Sequence, residues 1–174
     1  ESFRINTEGP GKYLVDMSGN VTGANTDCGF KVNTQLTVQG NGELLISQKI
    51  KPRGEMPPRL PKVGMQAVLR KEFDHMKWFG RGPIENYPGR KYAAPVGIYS
   101  KTVQELYEPY IVPCDYGNRS DVRWAALTND QGTGWLVTGD KQLNISAHPF
   151  STNNLERARY IHQLNPAEAV RTDM

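Results

Sequence analysis

The sequence predicts an all-β fold, a large antiparallel β-sandwich with one or two short helices. Three observations carry that expectation. Apolar and polar residues alternate with period two in several short runs, Gly, Pro, Asn and Asp cluster between those runs, and helical spacing is nearly absent. Many short strands with little helix must bury their apolar faces as stacked or closed antiparallel sheets. No repeat, low-complexity tract or linker interrupts the chain, so residues 1–174 read as one domain.

The clearest strand starts at Phe30, where Phe30, Val32, Leu36 and Val38 alternate with Lys31, Asn33, Gln35 and Thr37. Gln39-Gly40-Asn41-Gly42 tolerates the positive φ of a tight turn, and Glu43 to Ile50 is apolar again, which together predict a hairpin. Lys51 to Pro61 contains Pro57-Pro58 and reads as a loop. Val63, Met65, Ala67 and Leu69 form the next alternating run, followed by a strand ending at Met76 to Phe79. Asp121 to Leu127, Gly134 to Val137 and Leu143 to Ala147 are predicted strands, with turns at 129–132 and Gly139-Asp140.

Thr102-Val103-Gln104-Glu105 has the form of a capping box, predicting a short helix that Pro109 stops. Ser151 or Thr152 caps a second one through Leu155 and Ala158. Trp78, Trp124 and Trp135 fall in strand patterns, where core packing is the favoured role over sugar stacking.

Apolar residues make up 37% of the chain and charged residues 22%, the ordinary balance of a globular domain. A net charge of +3, without a block of like charges, gives no basic stripe for nucleic acid. No apolar run approaches the length of a membrane span. No basic, apolar and small-residue series opens the chain, and a start at Glu1 rather than Met reads as a boundary inside a longer polypeptide. Cys28 and Cys114 stand far apart and are expected to be reduced thiols.

Trp78-Phe79-Gly80-Arg81-Gly82-Pro83-Ile84-Glu85-Asn86-Tyr87-Pro88-Gly89-Arg90 is the most distinctive segment. It closely resembles the W-x-G-x-G-P-x-E-N-Y-x-D-R signature of the small-chain region in family 2 β-galactosidases. In the same order, Leu60 to Met65, Leu106 to Pro113, Asp115 to Trp124, Ser146 to Ser151 and Leu155 to His162 resemble further family segments. Gly89 stands where the family usually has Asp, and Asp115-Tyr116 where it has Glu-Asn. The first fifty residues match in strand pattern only.

The resemblance implies the galactose mutarotase-like supersandwich, here truncated at both ends, with exposed strand edges that favour pairing with a neighbouring copy. It implies a retaining glycosidase as the parent protein, whose acid and nucleophile are two glutamates on a central barrel. The segments that carry those glutamates do not occur in this sequence, so no catalytic residue is expected here and the chain alone is expected to be inactive. The implied partners are the parent's catalytic barrel, carbohydrate and further subunits of an oligomer, with no nucleic acid and no membrane. The implied setting is a bacterium, cytoplasm or periplasm being left open. No cofactor is expected in this chain, while the parent's catalytic domain has room for a divalent cation.

Glu85, Asn86, Tyr87 and Arg90 are candidates for hydrogen bonds to sugar hydroxyls, against the favoured reading of a network that fixes a Gly-Pro loop. His148 is the best histidine candidate, ahead of His75 and His162, against a structural imidazole bonded to backbone. No histidine has a second ligand at helical spacing, so no metal site is predicted. Asn20, Asn118 and Asn144 begin unremarkable sequons. The alternative function is a free-standing carbohydrate-binding module or a mutarotase-like epimerase.

Overall fold

The computed structural model describes residues 1–23, 27–60, 62–166 and 169–174. All described strands pair antiparallel, in one four-stranded and one six-stranded sheet, and the all-β class is borne out. The chain forms two compact units, 1–62 and 63–174. Pro61, within one of the family-like segments, lies outside the described residues.

The first unit is a meander of β1 (Ser2–Gly9), β2 (Lys12–Thr22), β3 (Gly29–Gln39) and β4 (Leu44–Arg53), in that spatial order. The β3–β4 hairpin forms as the alternation predicts. The Gln39 amide donates to the Glu43 carbonyl at 2.9 Å, and Gly42 takes the left-handed φ of +90°. β4 runs on to Arg53, where a loop is expected from the sequence. Pro52 is tolerated there because β4 is an edge strand and needs no donor on its outer side.

Register places Phe3, Ile5, Tyr13, Val15, Met17, Val21, Phe30, Val32, Leu36, Val38, Leu44, Ile46 and Ile50 on one face of this sheet. Arg4, Asp16, Lys31, Gln35 and Lys49 are on the other. Phe3 at 63% and Ile5 at 59% remain exposed, so this apolar face is not buried.

The second unit orders its strands β5-β10-β9-β8-β6-β7. They are β5 (Gln66–Arg70), β6 (His75–Arg81), β7 (Val96–Thr102), β8 (Arg119–Thr128), β9 (Gly134–His148) and β10 (Ala169–Asp173). Its core joins Leu69, Met76, Trp78, Val122, Ala125, Leu127, Ile145, Ala147 and Val170 with Val103 and Leu106. A smaller cluster packs Tyr116, Phe150 and Leu155 with Tyr107, Tyr110 and Leu164.

Three further sequence expectations are corrected. Gly139-Asp140 does not end a strand, because β9 is continuous from Gly134 to His148. Trp124 faces Thr138 while Val122 faces Leu143, so the Gly-Asp pair is spent on a bulge. At Thr102 the capping box does form: Glu105 Oε2 accepts from the Thr102 amide at 2.7 Å, and Thr102 Oγ1 accepts from the Glu105 amide at 3.2 Å. It holds a single turn over 103–106 rather than a helix, since Pro109 leaves no room for further backbone donors. The strand expected from Val63 begins only at Gln66.

The second predicted helix is present as α1 (Thr152–Arg157), with Ser151 as its cap. Among the three tryptophans, only Trp78 is fully buried. Trp124 is half-buried and Trp135 is exposed. Among the described residues no helix is long and apolar enough to cross a membrane.

Candidate functional site

β6 delivers the distinctive segment. Trp78 and Gly80 are buried on β6, and a Cβ on Gly80 would come within 2.9 Å of the Val122 backbone. The chain then leaves the sheet through Gly82-Pro83, whose peptide is cis. Arg119, fully buried, receives that loop: its Nη1 donates to the Gly117 carbonyl at 2.9 Å and its Nη2 to the Pro83 carbonyl at 3.3 Å. Its guanidinium also lies 5.2 Å from the Trp78 ring. Burial pushes the Arg119 pKa down, against the fields of Glu108, Glu85 and Tyr87.

Glu85 is the centre of the network that follows. Its Oε1 accepts from Arg90 Nη2 at 2.5 Å and from the Tyr110 hydroxyl. Its Oε2 accepts from the Gly117 amide at 2.8 Å and the Tyr87 hydroxyl at 3.2 Å. A carboxylate offers about four acceptor positions, and all four are used. Arg90 stacks 4.6 Å from the Tyr87 ring while its own side chain stays largely exposed.

Asn86, wholly buried, clamps the next layer. Its Oδ1 accepts from the Ser120 amide at 2.8 Å, and its Nδ2 donates to the Ile84 carbonyl at 3.0 Å. The Asn86 carbonyl accepts from Asn118 Nδ2 at 2.6 Å. Just beyond, Asp121 adopts φ +54° and accepts from Arg81 Nε at 2.6 Å and Lys91 Nζ at 2.8 Å. The hydrogen bonds from Lys91 and Arg81 hold its carboxyl below the usual range.

Burial alone would raise the Glu85 carboxyl, but hydrogen bonds from Tyr110, the Gly117 amide and Tyr87, with the Arg90 charge, hold it below its ordinary value of 4.5. A carboxyl depressed in the folded state contributes stability above its unfolded pKa and loses it as pH falls toward the folded one. Glu85→Gln is therefore expected to lower Tm at pH 7 and to narrow the gap to wild type as pH drops below 4.5. Thermal unfolding at a series of pH values checks this. An unchanged gap from pH 7 to pH 3 contradicts it.

The structure thus brings Glu85, Asn86, Tyr87 and Arg90 together in one loop, and their hydrogen bonds are those of loop fixation. His148 lies in a different cluster. It is buried, with Nδ1 3.2 Å from the Phe150 carbonyl and Nε2 3.6 Å from Asp173 Oδ2. Donor atoms of Asp115, His148 and Asp173 all lie within 4.8 Å of one another. Tyr116 packs on His148, and the following residue, Gly117, bonds Glu85, so the 115–120 segment serves both clusters.

Sequence reasoning missed Tyr110, Ser120 and Asp121. All three lie in segments whose motif character was visible, but the partners of each come from a distant part of the chain. His75 lies 2.8 Å from Asp130, and His162 is exposed and stacked on Tyr160. An open groove lined by Lys71, Glu72, Asp74, Asn129, Asp130 and Gln131 has no aromatic wall for a sugar face.

A family model described as the β-galactosidase small chain matches residues 4–174. Among curated relatives, a β-galactosidase of Priestia megaterium is 38% identical over 134 residues, 77% of this chain and 13% of its own length. One of Pseudoalteromonas haloplanktis is 35% identical over 74% of the chain and 12% of its length. One of Lactobacillus delbrueckii subsp. bulgaricus is 34% identical over 73% and 12%. The chain therefore corresponds to a small part of much larger enzymes. With a match that runs through both units, it belongs to the β-galactosidase small-chain family.

Proposed function

We propose that this chain is the accessory small-chain part of a β-galactosidase. In this reading it packs on the catalytic barrel of the parent enzyme and shapes the rim of the galactose pocket. Hydrolysis of terminal β-D-galactosides belongs to carboxylates in the rest of the polypeptide. The observation that carries the reading is the saturation of Glu85: a carboxylate that already accepts four hydrogen bonds has no capacity left to protonate a leaving oxygen or to attack an anomeric carbon. Its network instead fixes the Gly-Pro loop, and the exposed Arg90 is the member placed to reach a sugar hydroxyl.

The uncovered apolar face of the first unit supports the same reading, because a face of that extent requires a covering surface. The exposed edges β1, β4, β5 and β7 support association with further copies. We read the two units as one functional domain, since a single family match runs through both. A mutarotase-like epimerase would need an imidazole and a carboxylate facing a cleft. Of such pairs among the described residues, His148 with Asp173 is buried on both sides, and His75 with Asp130 lies on the open surface beside a groove that has no aromatic wall.

Calorimetric titration of the chain with galactose is expected to give no saturable heat. Saturable micromolar binding would favour the free-standing carbohydrate-binding module instead.

A further inference from the structure

Asp115, His148 and Asp173 reach one point from three places: the segment before β8, the end of β9 and the end of β10. The Phe150 carbonyl can only accept, so the 3.2 Å contact puts the proton of a neutral His148 on Nδ1. Nε2 then turns its lone pair toward Asp173 Oδ2, 3.6 Å away, with Ser146 Oγ at 3.4 Å. The Nε2 lone pair is thereby presented to the side where the carboxylates of Asp173 and Asp115 converge.

A proton shared between Nε2 and a carboxylate and a cation shared between them call for different spacings. A charge-assisted N–H···O bond closes to about 2.7–2.9 Å. Donors that share one tetrahedral cation at about 2.0–2.1 Å stand roughly 3.4 Å apart. The 3.6 Å from Nε2 to Asp173 Oδ2 is longer than such a hydrogen bond and close to that ligand spacing, and no two of the three donor atoms are more than 4.8 Å apart.

The surroundings have the form that metal-ligating histidines and carboxylates need. The ring is fixed through Nδ1 by a backbone carbonyl, and Gln66 Nε2 donates to Asp173 Oδ1 at 2.7 Å, orienting the carboxylate. The buried hydroxyl of Tyr116, whose ring centroid is 5.3 Å from that of His148, has no hydrogen-bond partner among the described residues.

We propose that Asp115, His148 and Asp173 form a binding site for one first-row divalent transition cation, zinc being the representative probe, with a fourth position open to water beside the exposed Asp115. One imidazole nitrogen with two carboxylates suits this class, whereas calcium and magnesium take six or more oxygens. The bound cation ties the 115–120 segment to β9 and β10, a structural role that does not depend on the galactosidase reading.

The full 174-residue chain, stripped with EDTA, is titrated with Zn²⁺ by calorimetry and with Co²⁺ by visible absorption at pH 7.5. One equivalent is expected, with Co²⁺ d–d bands and a raised Tm. Asp115→Asn, an exposed position where folding tolerates the change, is expected to weaken Zn²⁺ at least tenfold. The same comparison in a full-length galactosidase that carries this chain should differ by one cobalt equivalent. Equal metal content in wild type and Asp115→Asn in both settings overturns the proposal. So does an NMR signature of an Nε2-protonated imidazolium in the presence of excess Zn²⁺.

Discussion

Trp78→Ala is expected to destabilise the second unit by about 3–5 kcal/mol, the usual cost of deleting a fully buried large aromatic. Trp78 is 0% exposed and lies in the main core beside Met76, Ala125 and Leu127. The substitution also removes the partner of Tyr99, 5.5 Å away between ring centroids, and the ring against which the buried Arg119 rests. The Arg81 carbonyl loses the indole N–H that donates to it at 2.9 Å. Domain stabilities of about 5–15 kcal/mol leave little margin for such a loss. Chemical denaturation of wild type, Trp78→Phe and Trp78→Ala is expected to give that order of stability, with Phe costing about 1–2 kcal/mol. Near-identical midpoints for all three would remove Trp78 from the core.

Asn86→Ala is the second large effect, expected at about 1–3 kcal/mol because it orphans a buried donor. The buried Ser120 amide loses its acceptor, and the Ile84 carbonyl loses the side-chain donor that ties the loop down. Asn86→Asp distinguishes hydrogen bonding from size. It keeps an acceptor for Ser120 but sets a second oxygen against the Ile84 carbonyl, so it is expected to be at least as unstable as the alanine variant. Melting temperatures check both, at roughly 4 °C per kcal/mol for a unit of this size. Unchanged melting temperatures would mean that Asn86 does not hold the loop, and would return it to the sugar-facing role.

These effects explain which parts of the protein were legible in its sequence. The β3–β4 hairpin was readable because the alternation from Phe30 to Val38, broken only at Thr34, ran into a Gly-Asn-Gly turn and a second apolar stretch. β9 was misread because Gly139-Asp140 serves equally as a turn or as a bulge, and only pairing with β8 decides. β1 and β2 went unassigned. In β2, Leu14 interrupts the alternation on the polar side, and Gly19 leaves a gap on the apolar face. Part of the network around Glu85 was visible because Glu85, Asn86, Tyr87 and Arg90 fall within six consecutive residues. The Asp115–His148–Asp173 cluster was not, since three elements distant in the chain converge to build it and no local spacing records that.

Glu85 also shows why motif recognition and chemistry had to be separated. Its sequence context marks the family, yet its four hydrogen bonds mark a group consumed in holding one backbone amide and three side chains. Tyr87 makes the same point. Burial and the neighbouring Glu85 charge push its phenol far above the ordinary range, so it stays a donor to that carboxylate.

The most direct measurement is turnover of nitrophenyl β-galactoside by the purified 174-residue chain, compared with a full-length β-galactosidase of the same family. The account predicts no hydrolysis above the buffer blank, at any pH between 5 and 8, because the carboxylate in the family signature is fully occupied. Turnover that follows the chain through purification and disappears in Glu85→Gln would contradict it.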